Sequence, residues 1–89
     1  MINNEKILVL GSNSFGGSSY INFALDKGYT VIGINRSKEQ NSCFHPYKNN
    51  NNKNKYQSYN LHLIYDNKKI ISILEKEKPQ TIVDFAGQG

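Results

Sequence analysis

Lys6–Gly17 reads KILVLGSNSFGG, a short apolar strand that runs straight into a glycine-rich turn. The residues that follow, Ser18 to Lys27, have helical spacing, and Gly28 can adopt the left-handed conformation that stops a helix. A buried strand, a turn without bulky side chains and a helix N-terminus together make an anion cradle. Backbone N–H groups and the positive end of the helix dipole converge there on a phosphate. The stretch therefore predicts nucleotide binding.

Outward from it, Tyr20, Phe23, Ala24 and Lys27, with Ile21 and Leu25, predict a broad apolar stripe on the first helix. Tyr29–Asn35 (YTVIGIN) is a β-branched run and a second strand, which completes a parallel, right-handed βαβ unit. From Ser37 to Lys55 no period is sustained. This Asn/Lys-rich segment, with its asparagine run Asn49–Asn52, reads as a long loop or a poorly ordered substitute for a helix. Tyr56–His62 then reads as a third strand of weak alternation. Asp66 or Asn67 can cap a helix over Lys68–Lys78, with Ile70, Ile71, Ile73 and Leu74 buried, and Pro79 ends it. Thr81–Phe85 is a fourth strand, opening into Ala86 and Gly87. Short strands alternating with helices predict an α/β doubly wound parallel sheet of about four strands in the order 3-2-1-4.

With 89 residues the chain makes at most one domain with a thin core. A hydrophobic fraction of 37% and a mean hydropathy of −0.63 describe a soluble protein. No apolar run approaches the roughly 20 residues that span a bilayer. MINNEK opens into a strand without the pattern of a signal peptide, so the expected location is cytoplasmic and no membrane partner is expected. The lone cysteine, Cys43, agrees with a reducing compartment, and Cys43 with His45 is too small a set for a metal site. The net charge of +4 comes almost wholly from lysine, Arg36 being the one arginine. Lys48, Lys53 and Lys55 lie near Tyr47 and Tyr56, but nucleic-acid surfaces favour arginine with ordered aromatic platforms, so a solvated loop is expected and no nucleic acid.

Gly11, Ser14 and Gly17 fall at i, i+3 and i+6, the spacing of a dinucleotide fingerprint in which glycines serve the tight turn, the approach of pyrophosphate and helix–strand packing. Ser14 occupies the middle position and can donate its hydroxyl to a phosphate oxygen. A tight strand-to-helix connection without a ligand is the alternative. At the end of the second strand, an acidic residue would take the ribose 2′-OH of NAD; here Asn35 is followed by Arg36 and Ser37. Arg36 can clamp a 2′-phosphate, which favours NADP over NAD. An ordinary exposed charge is the alternative reading of Arg36.

These residues make the chain resemble the extended short-chain dehydrogenase/reductase family, in particular its sugar-nucleotide epimerases and dehydratases. KILVLGSNSFGGSSYINFALDKGYTVIGINRS is similar to the family's first strand, glycine turn, helix and second strand. The family's GxxGxxG is matched by Gly11 and Gly17, with Ser14 between, and Phe15 sits where the family carries an aromatic or aliphatic residue. Asn60-Leu61 resembles the Asp-Leu pair that lies against adenine, and Ala86-Gly87 the Ala-Ala segment beneath the cofactor; Asn60 and Asp84 depart from the family's pattern. The resemblance implies a Rossmann-type half-domain over residues 1–89 that binds NADP or NAD, with a nucleotide sugar as substrate only where the catalytic half is present. It implies no catalytic residue within this stretch, because the family's Ser/Thr and Tyr-x-x-x-Lys follow a fifth strand. Tyr65 and Lys69 match that spacing only by position in the wrong connection. A non-catalytic dinucleotide-binding or sensor module and an interaction fragment associating through its fourth strand are the alternatives, and a homo-oligomer is compatible with either.

Overall fold

The computed structural model describes residues 5–12, 15–36 and 46–85. Four parallel strands, β1 (Lys6–Leu10), β2 (Thr30–Asn35), β3 (Tyr56–Asn60) and β4 (Thr81–Asp84), form one sheet in the order β3-β2-β1-β4. Helix α1 (Phe15–Asp26) joins β1 to β2, and α2 (Asn67–Glu77) joins β3 to β4. This is the expected Rossmann-type arrangement. The chain steps outward from β1 to β3 and then returns across the sheet to β4. With right-handed crossovers, that reversal puts α1 and α2 on opposite faces.

Two apolar clusters follow from the alternation along the strands. Ile7, Val9 and Val31 meet Ile21, Ala24 and Leu25 of α1 on one face, while Leu8, Ile32 and Ile34 meet Ile73 of α2 on the other. β1 is thus covered on both sides, which explains its unbroken apolar run. Its N-terminal end is tied to the far side of the fold: the Lys6 ammonium pairs with the Glu77 carboxylate at 3.0 Å, and Gln80 N–H donates to the Lys6 carbonyl at 3.0 Å.

The helix stripes are narrower than the spacing suggests. Phe23 is exposed, with the Lys27 ammonium 5.5 Å from its ring centroid, and Tyr20 lies half-buried between Phe23 and Phe85. On α2, Ile73 is buried and Ile70 and Leu74 partly so, but Ile71 is exposed. Among the described residues nothing covers Phe23 or Ile71 from outside, so only the side chains aimed at the sheet lose their water. Gly28 ends α1 as expected: its φ is 87°, its N–H donates to Leu25 O at 3.0 Å, and Tyr29 N–H reaches Ala24 O at 3.1 Å. α2 ends one residue earlier than expected. Lys78, before Pro79, takes the left-handed conformation with φ 48° and donates its N–H to Leu74 O.

Between β2 and β3 a sequence without periodicity is held by polar contacts. Residues 37–45 lie outside the described residues. Pro46–Asn49 and Lys53–Lys55 form two 3-10 turns that occupy the place of a crossover helix beside α1. Tyr47 is buried in the α1-side cluster with its ring 4.7 Å from that of Tyr56. Asn50 is buried too, and its amide donates to Asn22 Oδ1 at 2.8 Å and Asp26 Oδ1 at 2.9 Å. Asn52 Nδ2 reaches Leu25 O at 2.7 Å, and the Lys55 ammonium meets the Gly28 carbonyl. Within one asparagine run the positions are therefore unequal. Asn50→Ala should cost about 1–3 kcal/mol by removing the buried amide that ties this segment to Asn22 and Asp26, whereas Asn49→Ala and Asn51→Ala should stay within about 0.5 kcal/mol, as read by urea denaturation.

Candidate functional site

The C-terminal ends of the strands gather most of the expected site residues that the structure describes. Gly11 leaves β1 with φ 78°, a conformation that suits glycine, and its N–H donates to Ile34 O at 2.8 Å. That bond is the last rung of the β1–β2 ladder, and Ser12 N–H shares the same carbonyl at 3.5 Å. α1 begins at Phe15, earlier than the expected Ser18, so Phe15, Gly16 and Gly17 form its first turn above the end of β1. Ser18 is buried there and its hydroxyl donates to Phe15 O at 3.2 Å. Gly17 is buried, while the Phe15 side chain is exposed.

Register brings Asn35 of β2 beside Asn60 of β3, and Leu61 N–H donates to Asn35 O at 2.7 Å. Arg36 follows, exposed. Gly11, Asn35, Arg36, Asn60 and Leu61 thus line one edge of the sheet, with the α1 N-terminus at its centre. Ser14, Ser37, Ala86 and Gly87 lie outside the described residues. β3 pairs only as far as Asn60 because the next residues turn: His62 N–H donates to Asp66 Oδ2 at 2.7 Å. Asp66 stands at the helix N-cap position, yet its carboxylate faces back to His62 and not into α2.

The turn after β3 carries three exposed side chains, Leu63, Ile64 and Tyr65. His62 Nδ1 accepts from Ile64 N–H at 3.1 Å and from Tyr65 N–H at 3.3 Å, and the Tyr65 ring stacks 4.4 Å from the imidazole. Tyr65 therefore precedes α2 and is engaged with His62, while Lys69 lies within the helix. The basic segment is spoken for in a different way. Tyr47 is buried, and Lys55 is held on Gly28, so this patch lacks an exposed stack of aromatic platforms. Among the described residues no helix is long and apolar enough to cross a membrane, and no group of three or more His, Cys, Asp or Glu side chains could hold a metal ion.

Three close approaches were not part of the sequence reading. A Cβ on Gly16 would lie 3.0 Å from the Phe85 ring, so this glycine, and not only the i, i+3, i+6 set, lets the turn pack on the end of β4. A Cβ on Gly33 would lie 2.7 Å from Ser12 Cβ and would collide with the Tyr56 hydroxyl. Ser12 itself is fully buried. A glycine inside the β-branched run TVIGIN is the available signal, since a strand glycine marks a close approach.

A family model for GDP-mannose 4,6 dehydratase matches residues 8–89, and the chain belongs to that family. The resemblance to the epimerases and dehydratases of the extended short-chain dehydrogenases therefore extends across nearly all of it. Solved structures share the fold. UDP-glucose 4-epimerase from Thermotoga maritima, determined with UDP-glucose, superposes with a TM-score of 0.72 at 23% identity over 94% of this chain and 25% of that one. dTDP-glucose 4,6-dehydratase from Bacillus anthracis, in complex with NAD, gives 0.74 at 21% identity, over 94% of this chain and 27% of that one. A short chain dehydrogenase from Leptospira borgpetersenii with bound NAD+ gives 0.72 at 21% identity, over 98% and 33%. The chain thus spans between a quarter and a third of the length of these proteins. No curated protein matches it in sequence.

Removing the acceptor at the β3–α2 turn should loosen it. His62→Ala is expected to speed amide hydrogen exchange at Ile64 and Tyr65 by about tenfold, the loss of roughly one hydrogen bond, with exchange in β1 unchanged.

Proposed function

We propose that the chain is the NAD(P)-binding portion of a cytoplasmic, nucleotide-sugar epimerase/dehydratase-like oxidoreductase. The observation that carries this reading is the Gly11 turn. Its positive φ turns the chain out of β1 and toward α1 at the C-terminal edge of a parallel sheet, where doubly wound folds hold dinucleotides. The N–H groups at the head of α1 meet the pyrophosphate, with Gly11 and Gly17 keeping side chains out of the way and the Ser14 hydroxyl donating to a phosphate oxygen. Phe15 covers the turn from the solvent side. Asn60 and Leu61, with Ala86 and Gly87, wall the adenine. The lone Cys43 is consistent with the reducing compartment this reading assigns.

Arg36, with Asn35 and Ser37 beside it, faces the adenosine ribose. The absence of a carboxylate at these three positions favours NADP over NAD, because nothing there repels a 2′-phosphate and a guanidinium can bind it through two N–H groups. The bound dinucleotide supplies hydride transfer to and from a sugar carbon. This chain's own residues bind and orient it. Tyr65 stacks on His62 ahead of α2 and so does not stand with Lys69 on one helix face, and this pair is given no part in proton transfer at the sugar.

Calorimetric titration tests the reading. The chain should bind NADPH more tightly than NADH, and Arg36→Ala should weaken NADPH binding by about tenfold or more while changing NADH little, the value of a hydrogen bond to a charged group. Equal losses would remove Arg36 from the 2′-phosphate. Gly17→Val should abolish binding of both by placing a branched side chain at a buried position of the first helical turn; unchanged affinity would sink the cradle.

A further inference from the structure

Ser12, Gly33 and Tyr56 come from three separate parts of the chain and close on one point. Ser12 lies in the turn after β1, Gly33 in the middle of β2 and Tyr56 at the start of β3. Gly33 pairs with Val9, so its missing side chain would project on the α1 face. That space is taken from above by Ser12: the point where a Gly33 Cβ would sit is 2.7 Å from Ser12 Cβ and 2.8 Å from Ser12 Oγ. The Tyr56 hydroxyl closes it from the β3 side. Contacts under 3.0 Å are ones that real Cβ atoms essentially never make, so a side chain here forces something to shift.

The two neighbours constrain the space differently. The Tyr56 hydroxyl is buried and its ring packs on Tyr47, so it closes the space without belonging to the turn. Ser12 Cβ cannot move without its backbone, and that backbone is the residue after Gly11, with its N–H on the Ile34 carbonyl. Ser12 is also fully buried, which leaves it no room to retreat by rotation. Displacement of Ser12 is displacement of the glycine turn.

We propose that Gly33 is a positioning residue for dinucleotide binding: by carrying no side chain it lets Ser12 settle onto β2, and this contact sets the height of the phosphate turn above the sheet. The inference rests on the dinucleotide reading given above and adds to it a residue one strand away from the phosphates. Gly33 touches no ligand. It acts through Ser12, much as a supporting residue fixes a binding group that an ångström of error would spoil.

The experiment uses the 89-residue chain with NADPH and, separately, adenosine 2′-monophosphate, which carries the Arg36-side phosphate but no pyrophosphate. Gly33→Ala should weaken NADPH binding by about ten- to a hundredfold, the range an ångström-scale misplacement produces, while adenosine 2′-monophosphate affinity stays within about twofold. A merely unfolded or loosened protein would lose both. Tyr56→Phe in the Gly33→Ala background removes the hydroxyl but leaves the Ser12 collision and should not restore NADPH binding, whereas adding Ser12→Gly to that double variant removes the collision from the turn side and should restore it. If Gly33→Ala does not fold, Ser12→Thr crowds the same contact from the turn and should give the same selective loss. Wild-type affinity in Gly33→Ala, equal loss of both ligands in a folded variant, or rescue by Tyr56→Phe without Ser12→Gly would overturn the proposal. A wild-type chain that binds neither NADPH nor NADH would instead overturn the dinucleotide reading itself.

Discussion

The turn at Gly11, which leaves β1 with a positive φ, is the constraint on which the C-terminal edge of the sheet depends. β1 lies between β2 and β4 and is buried on both faces, so the chain can leave it only at its end and only over a neighbour. Folding back across β2 requires a positive φ at the first residue, which glycine supplies at no steric cost. It also requires the strand beneath to offer space, and Gly33 supplies that. Two glycines in different strands of sequence thus serve one turn. The head of α1, its packing on Val9 and the alignment of Gly11 with the ends of β2 and β3 follow from it.

A second constraint acts on the same face. A sheet of this order needs cover on the α1 side beyond β2, and here no regular helix provides it among the described residues. Tyr47 supplies the apolar part of that cover, and Asn50, Asn52 and Lys55 anchor its segment to α1 through side-chain amides and an ammonium. Side-chain hydrogen bonds replace the backbone ladder that a helix would have had. Such cover is sensitive to single substitutions in a way that a helix is not, because each anchor is one residue deep. Tyr47 also leans on Tyr56, whose hydroxyl reaches Gly33, so the irregular segment and the glycine turn are joined through one stack of side chains.

The family match and the superpositions bear on the same part of the chain. Residues 8–89 fit the dehydratase family, and the similar structures share a fold at identities where side chains have largely changed. This chain's own edge carries Asn35 and Arg36 at the end of β2, Asn60 at the end of β3, and the exposed Leu63–Tyr65 turn built on His62.

The sequence by itself determined the element order, the strand arrangement and the place of the glycine turn, because these rest on local patterns: β-branched runs, helical spacing, and glycines at strand ends. Gly11, Asn35, Arg36, Asn60 and Leu61 were legible as edge residues for the same reason, each standing at the end of a readable strand. Tertiary structure decided which side chains of a stripe are buried, as Phe23 and Ile71 show, since that depends on how many layers cover a helix. It decided that one asparagine of a uniform run is a core anchor, since Asn50 differs from Asn49 only in what it faces. It also decided that Gly33 meets the glycine turn, because contact between a strand's middle and a loop 21 positions earlier exists only once β1 and β2 are paired.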